Sequence, residues 1–446
     1  MRRMHRRVAV VVFLALAPAL LGVPGVASAA SADAADPAVA GSYGQPDEFA
    51  AVVNQSLALL AFAGAGEDPA QDAVTWLLTQ QCDDGAFVAF RSDVDEPCAA
   101  PDPATFTGTD TNSTAYAAMA LAAVGESDAA TSAVEWLRGV QEDDGGWAFI
   151  PGAGSDANST GLVLSAFAAT RTPPPTGGAE ALVGFALGCE AEEANRGAFT
   201  TPFDPGTANA LATSQAVPGA AGAFYPVPPQ DQAADVPALA CPVDAVGAAD
   251  AAAAGAGWLA RQVAENSGFV PQDPAFGEGP DVAVTAESVM SMVAVGCCSA
   301  ETDTALAWLV DNTEGFVSPE GTDSAGALGK VALALEAADR QPDLVDELLA
   351  RIEATRLPAQ PAAADAQTPA ATASPQAEPA PSPQAAAEGQ SGPAATTWWL
   401  IAAGALLLAA AVWFFVRRRG HPTGVDDSNA GPSTGSGPGS SGSGTG

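Results

Sequence analysis

The chain has 446 residues, 48% of them hydrophobic and only 15% charged. Its 52 acidic residues against 16 basic ones give a formal net charge of −36, and Lys330 is the sole lysine. A surface this acidic repels nucleic acid and anionic lipid, so neither is expected as a partner; it either attracts cations or simply keeps the chain soluble.

The first segment reads as an address. Arg2, Arg3, Arg6 and Arg7 precede an apolar run from Val8 to Leu21, and Ala27-Ser28-Ala29 then offers a small-residue cleavage site. Residues 1–29 are therefore expected to be a secretory signal peptide.

From Asp47 to Arg356 the sequence alternates two kinds of helical stretch. One kind is dense in alanine and other apolar residues: Val52–Gly64, Thr109–Gly125, Ser155–Thr170, Pro280–Gly296 and Asp323–Ala338. Such stretches suit helices buried on most sides. The other kind carries a Trp-Leu pair and runs into a glycine and an aromatic. "AVTWLLTQQCDDGAF" (Ala73–Phe87) and "AVEWLRGVQEDDGGWAF" (Ala133–Phe149) align Trp76 with Trp136, Gln81 with Gln141, Gly85 with Gly145 and Phe87 with Trp147. Weaker copies end at Phe199, Phe269 and Phe316, and "LVDELLARIEATR" (Leu344–Arg356) reads as a last, truncated copy. About six helix pairs with a period near 50 residues signal stacked supersecondary units. Within the turn, Gly145 and Gly146 are expected to stop the outer helix, Trp147 to cover its end and Gln141 to satisfy an orphan amide.

The buried helices begin alike. Asp110-Thr111-Asn112-Ser113-Thr114-Ala115 matches Asp156-Ala157-Asn158-Ser159-Thr160-Gly161, and Asp281 precedes Thr285-Ala286 at the same spacing, as Asp204 precedes Ala208. These residues are good helix caps. They also place Asp110, Asn112, Ser113, Tyr116, Asp156, Asn158, Ser159 and Asp281 at one mouth, where they are the candidate ligand-binding set. The segment Ala220–Val246 is the longest irregular stretch, either a lid over a cavity or a plain surface loop.

All six cysteines fall in the exported part, which suggests disulfides. Cys82 and Cys98 flank a short loop and are expected to pair; the partners of Cys189, Cys241, Cys297 and Cys298 stay open. Both histidines, His5 and His421, lie outside residues 47–356, which excludes a histidine-ligated zinc site there. No cofactor or metal site is identified.

Residues 357–397 are rich in Ala, Pro, Gln and Ser and read as an extended, disordered stalk. Residues 398–416 are apolar throughout, long enough to cross a bilayer, flanked by Trp398, Trp399 and Trp413 and followed by Arg417, Arg418 and Arg419. A single-pass protein is expected, its bulk outside the cell and residues 417–446 a Gly/Ser-rich cytoplasmic tail.

The Trp-Leu helix end followed by Gln, Gly and an aromatic resembles the QW motif of squalene and oxidosqualene cyclases, whose related repeat occurs in protein prenyltransferase β subunits. The resemblance covers roughly residues 47–356. It implies an all-α fold, an α/α toroid with an inner and an outer ring of helices around a central cavity. Class II triterpene cyclases carry a DxDDTA motif whose middle acid protonates the alkene. Asp110, Thr114 and Ala115 match its first, fifth and sixth letters, but Asn112 and Ser113 stand at the acid positions. An amide cannot supply that proton, so no cyclisation of squalene or prenyl diphosphates is expected. The zinc set of prenyltransferases and the CGEQ thioester signature of complement-like toroids are missing too. In organisation the chain is also similar to transcobalamin and intrinsic factor, secreted and disulfide-stapled toroids that bind a corrinoid.

The expectation is therefore a membrane-anchored, non-catalytic toroid at the cell surface. It would bind an unknown small molecule, such as a hydrophobic or corrinoid-type nutrient, and pass it to a membrane transporter. The alternatives are an extracellular enzyme using cavity carboxylates such as Asp110 and Asp156, for glycoside hydrolysis or divergent terpenoid chemistry, and a structural envelope module.

Overall fold

The structure is a computed structural model that describes residues 39–358, apart from 48, 203, 242–245 and 276. The expected signal peptide (1–29), the membrane span (398–416), the cytoplasmic tail and nearly all of the stalk lie outside the described residues. Among the described residues no helix is long and apolar enough to cross a membrane.

The regular elements of the described part are almost all helices. Six helices share a buried, alanine-rich character: α1 (Ala51–Ala65), α3 (Thr111–Ala123), α5 (Ala157–Ala169), α7 (Ala210–Ala220), α9 (Val282–Val295) and α12 (Ala325–Ala337). They pack side by side in that order, and α12 returns to α1, so they form a closed inner ring. Around it lie α2 (Gln71–Thr79), α4 (Ser127–Gly139), α6 (Gly178–Gly184), α8 (Ala248–Glu265), α10 (Ser299–Asn312) and α13 (Pro342–Thr355). A single turn, α11 (Glu314–Val317), two 3-10 turns (Glu193–Asn195 and Pro319–Gly321) and a hairpin of two-residue strands, β1 (Val270–Pro271) and β2 (Pro280–Asp281), complete the set. Small side chains dominate the inner ring because alanine lets helices approach closely while keeping helix propensity high.

The repeated Gly-x-aromatic segments join the units, and the helix-stop expectation needs correcting. Helix α4 already ends at Gly139, ahead of the glycines. Gly145 lies in the following turn with φ +89°, and a Cβ there would stand 2.8 Å from the Gly177 carbonyl oxygen, just before α6. Gly85 meets Ser132 of α4 and Gly197 meets Ala254 of α8 in the same way. Each turn thus presses bare backbone onto the next outer helix, a contact no side chain allows. Gln141 donates from Nε2 to the carbonyls of Gly145 (2.7 Å) and Thr176 (3.0 Å), so it satisfies acceptors and not an orphan amide. Gln81 does the same with Gly85 and Ala129. Trp147 covers the end of α4 as expected, its Nε1 donating to the Leu137 carbonyl at 2.7 Å.

The turns also grip the next inner helix. The backbone N–H of Phe87 donates to Thr114 Oγ1 (3.0 Å), Trp147 to Thr160 (3.0 Å), Phe199 to Thr213 (2.9 Å) and Val270 to Thr285 (2.9 Å). In return the cap N–H groups of Asp110, Asp156 and Asn209 donate to the carbonyls of Phe87, Trp147 and Phe199. Two corrections follow. The fourth inner helix is capped by Asn209, whose side chain accepts from Ala212 N–H, and Asp204 lies in the preceding loop. In the fourth turn Val270, one residue beyond Phe269, occupies the aromatic position.

Among the described residues the sixth unit ends at α13 without such a turn of its own. Residues 41–44 supply it from the other end of the chain. Gly41 N–H donates to Leu357 O, Leu357 N–H to Ser42 O and Gly44 N–H to Thr355 O. Gly41-Ser42-Tyr43 then repeats the Gly-x-aromatic pattern: a Cβ on Gly41 would stand 2.3 Å from the Asp72 carbonyl oxygen of α2, and Tyr43 N–H donates to Gln55 Oε1 of α1 at 2.8 Å. Arg356, held locally by Glu353, pairs with Asp72 of α2 across the same seam. The ring is closed by joining its two ends through one repeat unit.

Three disulfides are formed: Cys82–Cys98, the expected pair, Cys189–Cys241, and the adjacent Cys297–Cys298.

Candidate functional site

The inner helices begin at one end of the ring. Thr111, the first residue of α3, donates N–H to Phe149 O ahead of α5; Asn209 reaches Asp273 ahead of α9; Gly326 of α12 abuts Asn54 of α1. The candidate residues gather at that end, but most serve the helices. Asp110 accepts from Ser113 N–H at 2.7 Å, and burial pushes its carboxyl up to about 6 against these bonds. Asp156 accepts from Ser159 N–H (2.7 Å) and Oγ (2.9 Å) and from Phe149 N–H (3.1 Å), and burial raises its carboxyl too. Ser113 and Ser159 are buried cap partners. Asp281 accepts from Val284 N–H at 2.9 Å. Asn112 is half-buried, its Oδ1 3.4 Å from the Thr111 hydroxyl, and Asn158 Nδ2 donates to Gln215 of α7 at 3.3 Å.

Deeper in the ring lies a polar group that the sequence motifs did not reveal. Glu287 of α9 is 1% exposed and accepts from Lys330 of α12 (2.5 Å), Ser214 of α7 (2.8 Å) and Gln215 (3.3 Å). Gln215, Glu287 and Lys330 each follow their helix cap by six residues, so they share one level and face the same interior. Tyr116 stands at that level on α3, buried, its hydroxyl raised well above the usual range by burial and by the Glu287 charge.

The segment after α7 stoppers the other end. Tyr225 is 2% exposed and stacks on Tyr116 at 6.3 Å between ring centroids, while Pro226 abuts Gly64 of α1. Gln230 then donates to the Val293 carbonyl of α9, and Gln232 donates to Cys297 O at 2.7 Å. One loop therefore touches helices from opposite sides of the ring. Of the two readings of Ala220–Val246, its described part is a stopper, not a plain surface loop, and it closes the end away from the candidate residues. Its Tyr225 hydroxyl and the carboxylate of Glu336, nearby on α12, meet no hydrogen-bond partner among the described residues. Burial raises the Glu336 carboxyl to about 8.

With aromatic and charged side chains packed into the ring, an open space lies off its axis. A cavity of about 1070 Å³ opens between α8, the loop before α7 and the start of α9. Trp258, Arg261 and Gln262 of α8 line it with Arg196, Asp204, Asn209, Asp273 and Asp281. Of the candidate set only Asp281 reaches it. Asn209 and Asp273 are held by a mutual bond of 3.1 Å, Trp258 Nε1 donates to Ala194 O at 3.0 Å, and Arg261 donates to the Arg196 carbonyl at 3.2 Å. The wall is thus preorganised, mixed in charge and rich in hydrogen-bonding groups. Among the described residues no cluster of His, Cys, Asp and Glu has the form of a metal site.

No protein-family model and no curated protein matches the chain. Solved structures do match at low identity. A protein from Actinoplanes is 15% identical, with 67% of this chain and 93% of that one covered and a TM-score of 0.43. The ent-copalyl diphosphate synthase from Streptomyces platensis is 13% identical, with 65% of this chain and 50% of that one covered and a TM-score of 0.42. The type II terpene cyclase MstE from Scytonema is 14% identical, with 67% and 92% covered and a TM-score of 0.38. At these values the likeness carries no assignment of activity, and the ring rests on its own helix contacts.

Proposed function

We propose that the chain is a non-catalytic binding protein of terpenoid cyclase-like architecture that holds a polar small molecule in the off-axis cavity beside Trp258. The observation that carries this reading is the cavity itself: about 1070 Å³, lined by arginine, carboxylate and carboxamide groups. That volume is at the top of the usual range for small-molecule sites, about 300–1,000 Å³. Those groups, set among apolar surface from Leu211, Leu239 and Trp258, suit a small molecule with several hydrogen-bonding groups better than the purely hydrophobic nutrient suggested by organisation alone. Asp110 and Asp156 argue against glycoside hydrolysis, because their oxygens are engaged as helix caps. Display outside the cell on a single-pass anchor, with delivery to a membrane transporter, is the setting we propose from the apolar ends of the sequence.

Native mass spectrometry of the full chain purified from its own host tests the reading. A retained small molecule that is lost in Trp258→Ala is expected. A molecule retained equally by the variant, or none retained while host extract leaves the melting temperature unchanged, would overturn it.

A further inference from the structure

The chemistry of the off-axis cavity wall narrows the ligand class, resting on the cavity reading above. Acid and base alternate along the lining. The 3-10 turn brings Glu193 and Arg196. Helix α8 brings Arg261 and Glu265, four residues apart on one face, where burial lowers the Arg261 guanidinium and the Glu265 charge opposes that shift. With Asp204, Asp273 and Asp281, the described lining holds five carboxylates and two guanidiniums. An anion therefore meets a net negative wall.

The lining also differs in what each group can do. Ionised carboxylates only accept hydrogen bonds, guanidiniums only donate, and the carboxamides of Asn209 and Gln262 do both. A simple cation would satisfy the acceptors and leave the arginine donors without a partner. A hydroxyl donates to a carboxylate and accepts from a guanidinium or a carboxamide with the same oxygen. Asp204 and Gln262 are free for this, since their side chains make no hydrogen bond among the described residues. Apolar surface lies between the polar groups: Trp258, Leu239 and Leu211, the last 43% exposed. A ring with hydroxyls on its rim and C–H groups on its faces matches both kinds of surface. We propose that the cavity binds a neutral oligosaccharide, its hydroxyls bonded by Asp204, Gln262 and the two arginines and a ring face set against Leu211 and Trp258.

The purified full chain is passed over an array of immobilised oligosaccharides and read by surface plasmon resonance imaging. The array carries neutral, uronic-acid and amino-sugar members, together with polysaccharide fragments from the host's own envelope. Binding is expected at neutral members, with less than about a twofold change between about 0.05 and 0.5 M NaCl, because no net ion pair forms. Asp204→Asn should weaken it about tenfold or more, through loss of a charged acceptor, and Gln262→Ala about three- to tenfold. Both variants remove groups with no side-chain bond in the fold, so their urea midpoints should match the parent's. Binding confined to the acidic or the amino sugars would overturn the proposal, as would no binding to any member. Neutral binding that both variants retain in full would overturn the placement in this cavity. A retained molecule that is not a sugar, lost in Trp258→Ala in the mass spectrometry above, would overturn the sugar class and leave the cavity reading standing.

Discussion

Closing the ring through Gly41-Ser42-Tyr43 makes a quantitative prediction at two neighbouring glycines. Gly41 and Gly44 both adopt left-handed backbone, with φ +93° and +77°. Alanine at Gly44 meets nothing within 4 Å, whereas alanine at Gly41 would put its methyl carbon 2.3 Å from the Asp72 carbonyl oxygen. The left-handed conformation costs a non-glycine residue about 1–2 kcal/mol. Overpacking a site whose neighbours cannot retreat adds about 1–3 kcal/mol. Gly44→Ala should therefore cost about 1–2 kcal/mol and Gly41→Ala about 2–5 kcal/mol. Relief at Gly41 would require parting residues 41–44 from 355–357, which opens the seam. The assay is urea unfolding of the purified full chain with disulfides intact, followed by tryptophan fluorescence and compared at the midpoint. Cα-level protection of 355–357 from protease should fall in Gly41→Ala alone. Equal midpoints, within about 0.5 kcal/mol, would refute closure by that contact.

Other variants test the joints and buried charges. Trp147→Ala removes a fully buried ring and its bond to Leu137 O, and should cost about 3–5 kcal/mol in unfolding free energy. Thr160→Val strands the Trp147 N–H and should cost about 1–3 kcal/mol, whereas Thr160→Ser should cost less. Glu336 has a folded-state value near 8, above its ordinary 4.5, so the folded state binds its proton more tightly. Stability should then fall as pH rises from about 4.5 to 8, with a slope of at most about 1.4 kcal/mol per pH unit from this group. Glu336→Gln should flatten that decline in thermal melts. Asp110→Asn keeps the cap acceptor and removes a buried charge, so it should melt no lower than the parent at pH 8. Incubation with squalene should yield no polycyclic product, since Asn112 stands where the cyclase acid would.

Local patterns revealed much of the ring. Asp110, Asp156 and Asp281 with their threonines mark real helix starts, and Gly85, Gly145 and their aromatics mark real joints, because caps and positive-φ turns impose residue types at fixed spacing. Where two patterns compete, the sequence misleads: Asp204 has the right spacing to an alanine, but Asn209 makes the cap because Thr213 must reach Phe199. Contacts between distant segments leave no local trace. Gly41-Ser42-Tyr43 reads as an ordinary tripeptide until α13 is beside it. Tyr225 reads as part of an irregular stretch until it stacks on Tyr116. Arg196 and Arg261, far apart in sequence, become one wall only through α8.

Hydrogen–deuterium exchange of the full chain, with and without the small-molecule fraction of its host, tests the placement of the site most directly. The account predicts new protection in 193–211, 258–265 and 270–284, the segments around the cavity, and none around Tyr116 and Tyr225. Protection centred on Tyr116 and Tyr225, with the cavity segments unchanged, would contradict it and move the site to the axis of the ring.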